Sequence, residues 1–243
     1  MSDRAHDRRR LGLRTFSVPG AAAGPAYVLL HGIGLSHLEF TGLARELSAS
    51  GRVIAFDLPG YGSSPRPPRQ MSVHDHAALV GRELERLDLG PAVVVGHSMG
   101  AQFAVELARQ SPWLVDRVVL VGPVVDAGKR TLRQQAVGLL RDSALEPPKT
   151  QAMVLSDYLR CGVPWFAAQS GVMRDYPIDV TIAEIAQPVL VIRGADDPIA
   201  DAAWCRSLAA LAPDGRALTI AGNRHNVLHS EPVATAAAIL AFV

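Results

Sequence analysis

Short apolar runs rich in β-branched residues recur along the chain: Tyr27–Leu30, Val53–Phe56, Val93–Val95, Val118–Val121, Val189–Ile192 and Leu218–Ile220. Continuous runs of this kind suit strands covered on both faces, as in a parallel sheet. Leu13–Val18 alternates instead and reads as an edge strand. Between the runs, apolar residues at helical spacing predict helices over Leu38–Ala49, Val73–Leu87, Met99–Gln110, Ala202–Ala212 and Val233–Phe242. Strand and helix in alternation mean an α/β fold with crossover connections. The rhythm breaks between Val121 and Val189. Helical stretches near Thr131–Arg141, Thr150–Leu159 and Trp165–Arg174 fill that interval, punctuated by Pro147, Pro148, Pro164 and Pro177. A helical insertion inside an α/β alternation reads as a cap or lid. The expected division is therefore a core of residues 1–122 and 188–243 carrying a cap of residues 123–187.

Composition narrows the function classes. Of 243 residues, 49% are hydrophobic and 19% charged, which excludes a disordered or collagen-like chain. The 24 basic and 23 acidic side chains leave a net charge of +1, so nothing favours nucleic-acid or anionic-membrane binding. No apolar run approaches the ~20 residues of a transmembrane helix. Arg4, Arg8, Arg9, Arg10 and Arg14 cluster near the N-terminus but are diluted by Asp3 and Asp7, so that segment reads as a solvated tail. No apolar stretch of signal-peptide type follows it. With two cysteines, Cys161 and Cys205, the chain reads as a cytoplasmic protein with reduced thiols. The expected partner is a small-molecule substrate, bound by a monomer or homodimer.

The strongest chemical signal is Gly96-His97-Ser98-Met99-Gly100. It follows a predicted strand and opens a predicted helix, the context that a G-x-S-x-G nucleophile elbow needs. A serine on such a turn is held strained and exposed at a helix N-terminus, where negative charge is stabilised. Its base is best supplied by His225, in the loop between the last strand and the last helix, with His229 as the rival. His97 reads as structural, His74 and His76 as solvated on the first turns of their helix, and His31 as a brace for its own loop. Asp197 follows the strand Val189–Ile192 and precedes Pro198, placing a carboxylate where it could orient the imidazole. Asp196 and the more distant Asp126 are its rivals. His31-Gly32-Ile33-Gly34 follows another strand, and the expected oxyanion donors are the N–H groups of Ile33 and Met99. Candidate substrate contacts are Gly32, His37, Trp165 and Phe166. Tyr158, Met153, Leu155, Met173 and Tyr176 are further apolar or aromatic residues of the expected cap. Asp57 to Ser64, with Pro59, Gly60 and Gly62, reads as a tight turn at the pocket edge. No metal site is expected.

The ordered motifs HGIG, DLPGYGSS, GHSMG, GADDPI and GNRH resemble those of the α/β-hydrolase fold superfamily over nearly the whole chain. That resemblance implies a mostly parallel eight-stranded sheet with a helical cap inserted after the sixth strand, and no cofactor. It places the nucleophile on Ser98, the acid on Asp197 and the base on His225. Arg224 departs from the glycine often found before the base. A serine nucleophile counts against the dehalogenase and epoxide-hydrolase branches, and GHSMG differs from the GGSWG-type elbow of proline iminopeptidases. The implied activity is hydrolysis of a carboxylic ester of a small or medium apolar substrate. The alternatives are a C–C bond hydrolase or thioesterase on the same three residues, or a non-hydrolytic ligand-binding or cofactor-free protein.

Overall fold

The computed structural model describes residues 12–21, 23–126, 142 and 145–243. The arginine-rich N-terminus up to residue 11 and the expected helix Thr131–Arg141 lie outside the described residues. Among the described residues, seven strands form one sheet in the order β1-β3-β2-β4-β5-β6-β7. They are β1 (Arg14–Val18), β2 (Ala26–Leu30), β3 (Arg52–Asp57), β4 (Ala92–His97), β5 (Val115–Val121), β6 (Val189–Gly194) and β7 (Gly215–Ile220). Only β1 pairs antiparallel, with β3; every other pairing is parallel.

Three of the expectations above that concern the sheet need correcting. The described sheet has seven strands rather than eight, and the helical segment enters after the fifth strand in chain order rather than the sixth. Seven is also the number of strand-like runs in the hydrophobic pattern, so the eighth had no apolar run behind it. The run at Leu218–Ile220 was expected to be buried on both faces. In β7 it is largely exposed, because β7 ends the sheet and has a neighbour, β6, on one side.

The helices are α1 (Thr41–Leu47), α2 (Val73–Arg86), α3 (Met99–Gln110), α4 (Pro148–Cys161), α5 (Val163–Asp175), α6 (Ile178–Thr181), α7 (Ala202–Leu211), α8 (Val227–Ser230) and α9 (Pro232–Leu240), counted among the described residues. A 3₁₀ turn, His37–Phe40, precedes α1. Alternation along the strands divides the apolar core in two. Val28, Leu30, Ile54, Phe56, Val94, Val118 and Leu120 face α2, α3 and α7, while Tyr27, Leu29, Val53, Val93, Val95, Val119 and Val121 face α1, α8 and α9. Both faces are dry, which is why the central strands read as unbroken apolar runs.

Within α2, His76 does not meet solvent as expected. It is fully buried against the ring of Phe103, with centroids 4.8 Å apart, and burial holds its pKa down at about 4. The reason is register: Val73, His76, Ala77, Val80 and Leu84 share the buried stripe of the helix. His74, one position off the stripe, is largely exposed.

The segment between β5 and β6 rests on the core through polar bonds as well as apolar ones. Ser36 Oγ donates to Asp157 Oδ2 at 2.6 Å, Arg66 to the Cys161 carbonyl at 2.6 Å and Gln102 to the Met173 carbonyl at 2.8 Å. This brings α4 and α5 above the carboxyl ends of β2, β3 and β4, where loops gather in α/β sheets.

Candidate active site

The turn between β4 and α3 is built from small residues. A Cβ on Gly96 would lie 2.2 Å from the Gly100 carbonyl oxygen, and one on Gly100 would lie 2.0 Å from that of Leu30. No side chain fits either place, so the glycine spacing follows from packing. Ser98 sits between them at φ 52° and ψ −116°, a conformation that costs a non-glycine residue roughly 1–3 kcal/mol. Its amide donates to the Val121 carbonyl at 2.9 Å, which anchors the turn to the end of β5.

Ser98 Oγ lies 3.0 Å from His225 Nε2, and His225 Nδ1 lies 2.9 Å from Asp197 Oδ2. All three side chains are buried. Asp197 Oδ1 accepts from the amides of Ile199 at 2.8 Å and Ala200 at 2.9 Å, so the carboxylate is fixed at both oxygens. Gly122, at φ +54°, closes the floor: a Cβ there would be 3.0 Å from the His225 ring and 3.3 Å from Asp197 Oδ2. The rivals lie elsewhere. Asp196 is exposed, and His229 is engaged through Nδ1 with Thr150 Oγ1 at 2.9 Å. Arg224 is half-buried.

Charge is arranged to favour a protonated His225. Burial alone would depress its pKa, but the Asp197 carboxylate and its hydrogen bond, with Asp142 and Glu146 beyond, hold it up at about 9. Asp197 is correspondingly lowered; burial works against ionisation, and the His225 charge and hydrogen bonds overcome it. Asp142 Oδ1 accepts from the His225 amide at 3.1 Å, and Glu146 Oε1 accepts from the Asn226 amide at 2.9 Å. Burial, with the charges of Glu146 and Asp197, raises Asp142 to about 6 although His225 pulls it down. Asp142 and Glu146, missed in the sequence, thus hold the backbone of the His225 loop.

The His31–Gly34 loop lies directly against Ser98, since a Cβ on Gly32 would meet Ser98 Cβ at 3.2 Å. Neither the Ile33 nor the Met99 amide has a hydrogen-bond partner among the described residues, and Met99 opens α3, where helical N–H groups are left free. The Gly32 amide is not free: it donates to Glu39 Oε1 at 3.1 Å. His31 braces the loop, accepting at Nε2 from the Leu58 amide at 3.0 Å.

The substrate candidates divide. Phe166 packs edge-on against Tyr158, centroids 5.2 Å apart, and both rings cover Gly34. Trp165 covers Gly60 and meets Tyr61 edge-on at 6.3 Å. His37 is drawn the other way: its ring stacks on Phe16 of β1 at 3.4 Å, and Nδ1 bonds Asp57 Oδ1 at 2.8 Å. That pairing belongs to the β1 edge, so His37 is not gathered with Ser98 and His225. Tyr158, singled out above only among the apolar residues, is the ring that lies closest to Gly34.

A family model described as the alpha/beta hydrolase fold matches residues 25–151. The chain belongs to the alpha/beta hydrolase fold family. An uncharacterised protein of Mycobacterium tuberculosis is 40% identical over 108 residues, a segment covering 44% of this chain but only 31% of that relative. The chain therefore matches less than a third of that relative's length. A Mesorhizobium japonicum protein, 2-(acetamidomethylene)succinate hydrolase, is 26% identical over 96% of this chain and 93% of its own. Among solved structures, a thermophilic esterase from Thermogutta terrifontis superimposes with a TM-score of 0.82 at 20% identity, covering 95% of this chain and 92% of its own. At that identity the likeness speaks for the fold. No helix among the described residues is long and apolar enough to cross a membrane.

Proposed function

We propose that the protein is a serine hydrolase that cleaves a carboxylic ester of a small or medium apolar substrate. The single observation that carries this reading is the unbroken line Ser98 Oγ–His225–Asp197, with contacts of 3.0 and 2.9 Å, on a strained turn. In the proposed cycle, neutral His225 takes the Ser98 proton as Oγ attacks the ester carbonyl carbon. The carbonyl π electrons move to oxygen, and the free amides of Ile33 and Met99 receive that oxyanion. His225 then gives the proton to the departing alkoxide, which leaves as an alcohol. Water, deprotonated by His225, attacks the acyl-Ser98 ester and releases the carboxylic acid, restoring Ser98. Asp197 holds the imidazole tautomer and stabilises the imidazolium. The groups of the chain that act in the cycle are Ser98, His225, Asp197 and the amides of Ile33 and Met99.

The apolar substrate class is supported by Tyr158 and Phe166, which roof the Gly34 end of the oxyanion loop. In this reading the helices of residues 148–175 act as a cap over the site. The test is hydrolysis of p-nitrophenyl esters from acetate to laurate by the wild type and by Ser98→Ala. Turnover lost in the variant supports the reading, and a chain-length optimum sizes the acyl pocket. Turnover retained in a folded Ser98→Ala protein overturns it.

A further inference from the structure

Two buried ionisable residues beneath the site take no part in the cycle above. Glu39, on the 3₁₀ turn, and His97, the last residue of β4, are both fully buried. Burying a carboxylate and an imidazole is costly unless their hydrogen bonds are met, and an apolar pair of similar volume would fill the same space at less cost. Here every polar atom of the pair is met. Glu39 Oε1 accepts from the Gly32 amide at 3.1 Å, Glu39 Oε2 faces His97 Nδ1 at 2.9 Å, and His97 Nε2 donates to the His225 carbonyl at 3.1 Å. The result is one continuous line from the oxyanion loop to the backbone of the base. It passes through the residue that precedes Ser98. His97 Nδ1 and Ser98 Cβ also flank the same face of Gly32, each 3.2 Å from where its Cβ would stand.

The proton count follows from this geometry. Both nitrogens of His97 face oxygen atoms, so the Glu39–His97 pair holds two protons, one in each of the two ring bonds. The line is directional. If Glu39 is lost, nothing holds the His97 proton pattern, and the tautomer with a bare Nε2 would set a lone pair against the His225 carbonyl.

We propose that Glu39 and His97 are positioning residues that set the oxyanion loop and the His225 loop in register about Ser98. This rests on the serine-hydrolase reading. Neither residue touches the reacting atoms. Their effect is on geometry that matters most in the transition state, where a misplacement of about 1 Å costs on the order of 10²-fold in rate.

Two substitutions separate this role from a general need for charge or volume. Glu39→Gln keeps every bond: its amide oxygen accepts from Gly32, and its NH₂ donates to His97 Nδ1, leaving Nε2 protonated toward His225. Glu39→Asp keeps the charge but is one methylene short of spanning Gly32 and His97 together. The experiment compares kcat, KM, Tm and the inhibition constant of an alkyl boronic acid, which mimics the tetrahedral adduct on Ser98. It also measures the rate at which a fluorophosphonate phosphonylates Ser98 with loss of fluoride. Expected for Glu39→Gln are kcat and boronate affinity within ~3-fold of wild type. Expected for Glu39→Asp is a ~10²-fold fall in kcat and in boronate affinity, with KM within ~3-fold. A Glu39→Gln protein as impaired as Glu39→Asp overturns the proposal, as does a Glu39→Asp loss confined to KM or Tm. If Glu39→Asp does not fold, the Glu39→Gln result still decides, since loss there contradicts a role in bonding. Wild type that neither labels nor turns over any ester overturns the underlying reading. Wild type that labels, beside a Glu39→Asp protein that labels and turns over as fast, overturns this inference alone.

Discussion

Gly34→Ala is a sharp test of how the oxyanion loop meets the helices above it. Gly34 has φ +76°, and a Cβ there would stand 2.7 Å from Tyr158 Cδ1 and Cε1 and 3.0 Å from Phe166 Cδ2. The left-handed backbone alone costs an alanine about 1–2 kcal/mol. Carbon atoms pack at about 3.5–4.0 Å, so the Tyr158 ring must withdraw by about 1 Å, and overpacking of this kind adds about 1–3 kcal/mol. The sum is a loss of about 2–5 kcal/mol, or a Tm lower by roughly 5–15 °C for a chain of this size. Because Ile33 adjoins Gly34, a shift of the loop would also lower kcat by on the order of 10²-fold. The assay is denaturant unfolding and ester turnover for wild type, Gly34→Ala, Tyr158→Ala and the double variant. Removing the Tyr158 ring relieves most of the contact but not the backbone cost, so Gly34→Ala should cost only about 1–2 kcal/mol in that background. A Gly34→Ala protein as stable as wild type, or a cost unchanged by Tyr158→Ala, would refute the argument that these helices press on the loop.

Four further outcomes follow from the site. Asp197→Asn should lower kcat by ~10⁴-fold while leaving the fold intact, because an amide facing Nδ1 favours the wrong tautomer of His225; steady-state kinetics beside a circular dichroism spectrum check this. His225 is held at about 9 and must be neutral to act as base, so kcat/KM should climb about tenfold per pH unit below 9 and level above it. Stability runs oppositely: the raised pKa contributes stability that is full below the ordinary value of 6.5 and is lost as pH rises through about 9. A kcat/KM profile flat between pH 7 and 9 would contradict the electrostatic account. Ser98→Gly should be more stable than Ser98→Ala by roughly 1–2 kcal/mol in thermal or denaturant unfolding, since glycine accepts a backbone at φ 52° that alanine does not.

Much of the architecture was written in local pattern. The apolar runs became the strands, and α3 begins at Met99 as the turn chemistry of Gly96–Gly100 requires. Ser98, Asp197 and His225 come from loops at one sheet edge and meet there, because parallel strands deliver their carboxyl ends to the same side. What escaped the sequence depends on contacts far apart in the chain. Glu39 sits at the start of the helix expected over Leu38–Ala49, with no local sign of burial, and only the approach of His97, 58 residues on, gives its carboxylate a partner. Asp142 and Glu146 bond a loop some 80 residues away, 83 to His225 and 80 to Asn226, and carry no local signature. His76 was legible: its spacing from Val73, Ala77 and Val80 already placed it on the buried stripe, and polarity outweighed periodicity in reading it. Gly122 carried a signal too, a glycine directly after a buried strand, where the base and acid leave no room for a side chain.

The central claim is that Ser98 is a nucleophile activated by His225. The most direct measurement is time-resolved hydrolysis of a p-nitrophenyl ester series, acetate to laurate, by wild type and Ser98→Ala at pH 8–9, followed by mass spectrometry of protein quenched during turnover. The account predicts a burst of p-nitrophenol, an acyl adduct on the peptide containing Ser98, and neither in the variant. Hydrolysis that persists in folded Ser98→Ala, or wild-type turnover whose adduct sits on another residue, would contradict it.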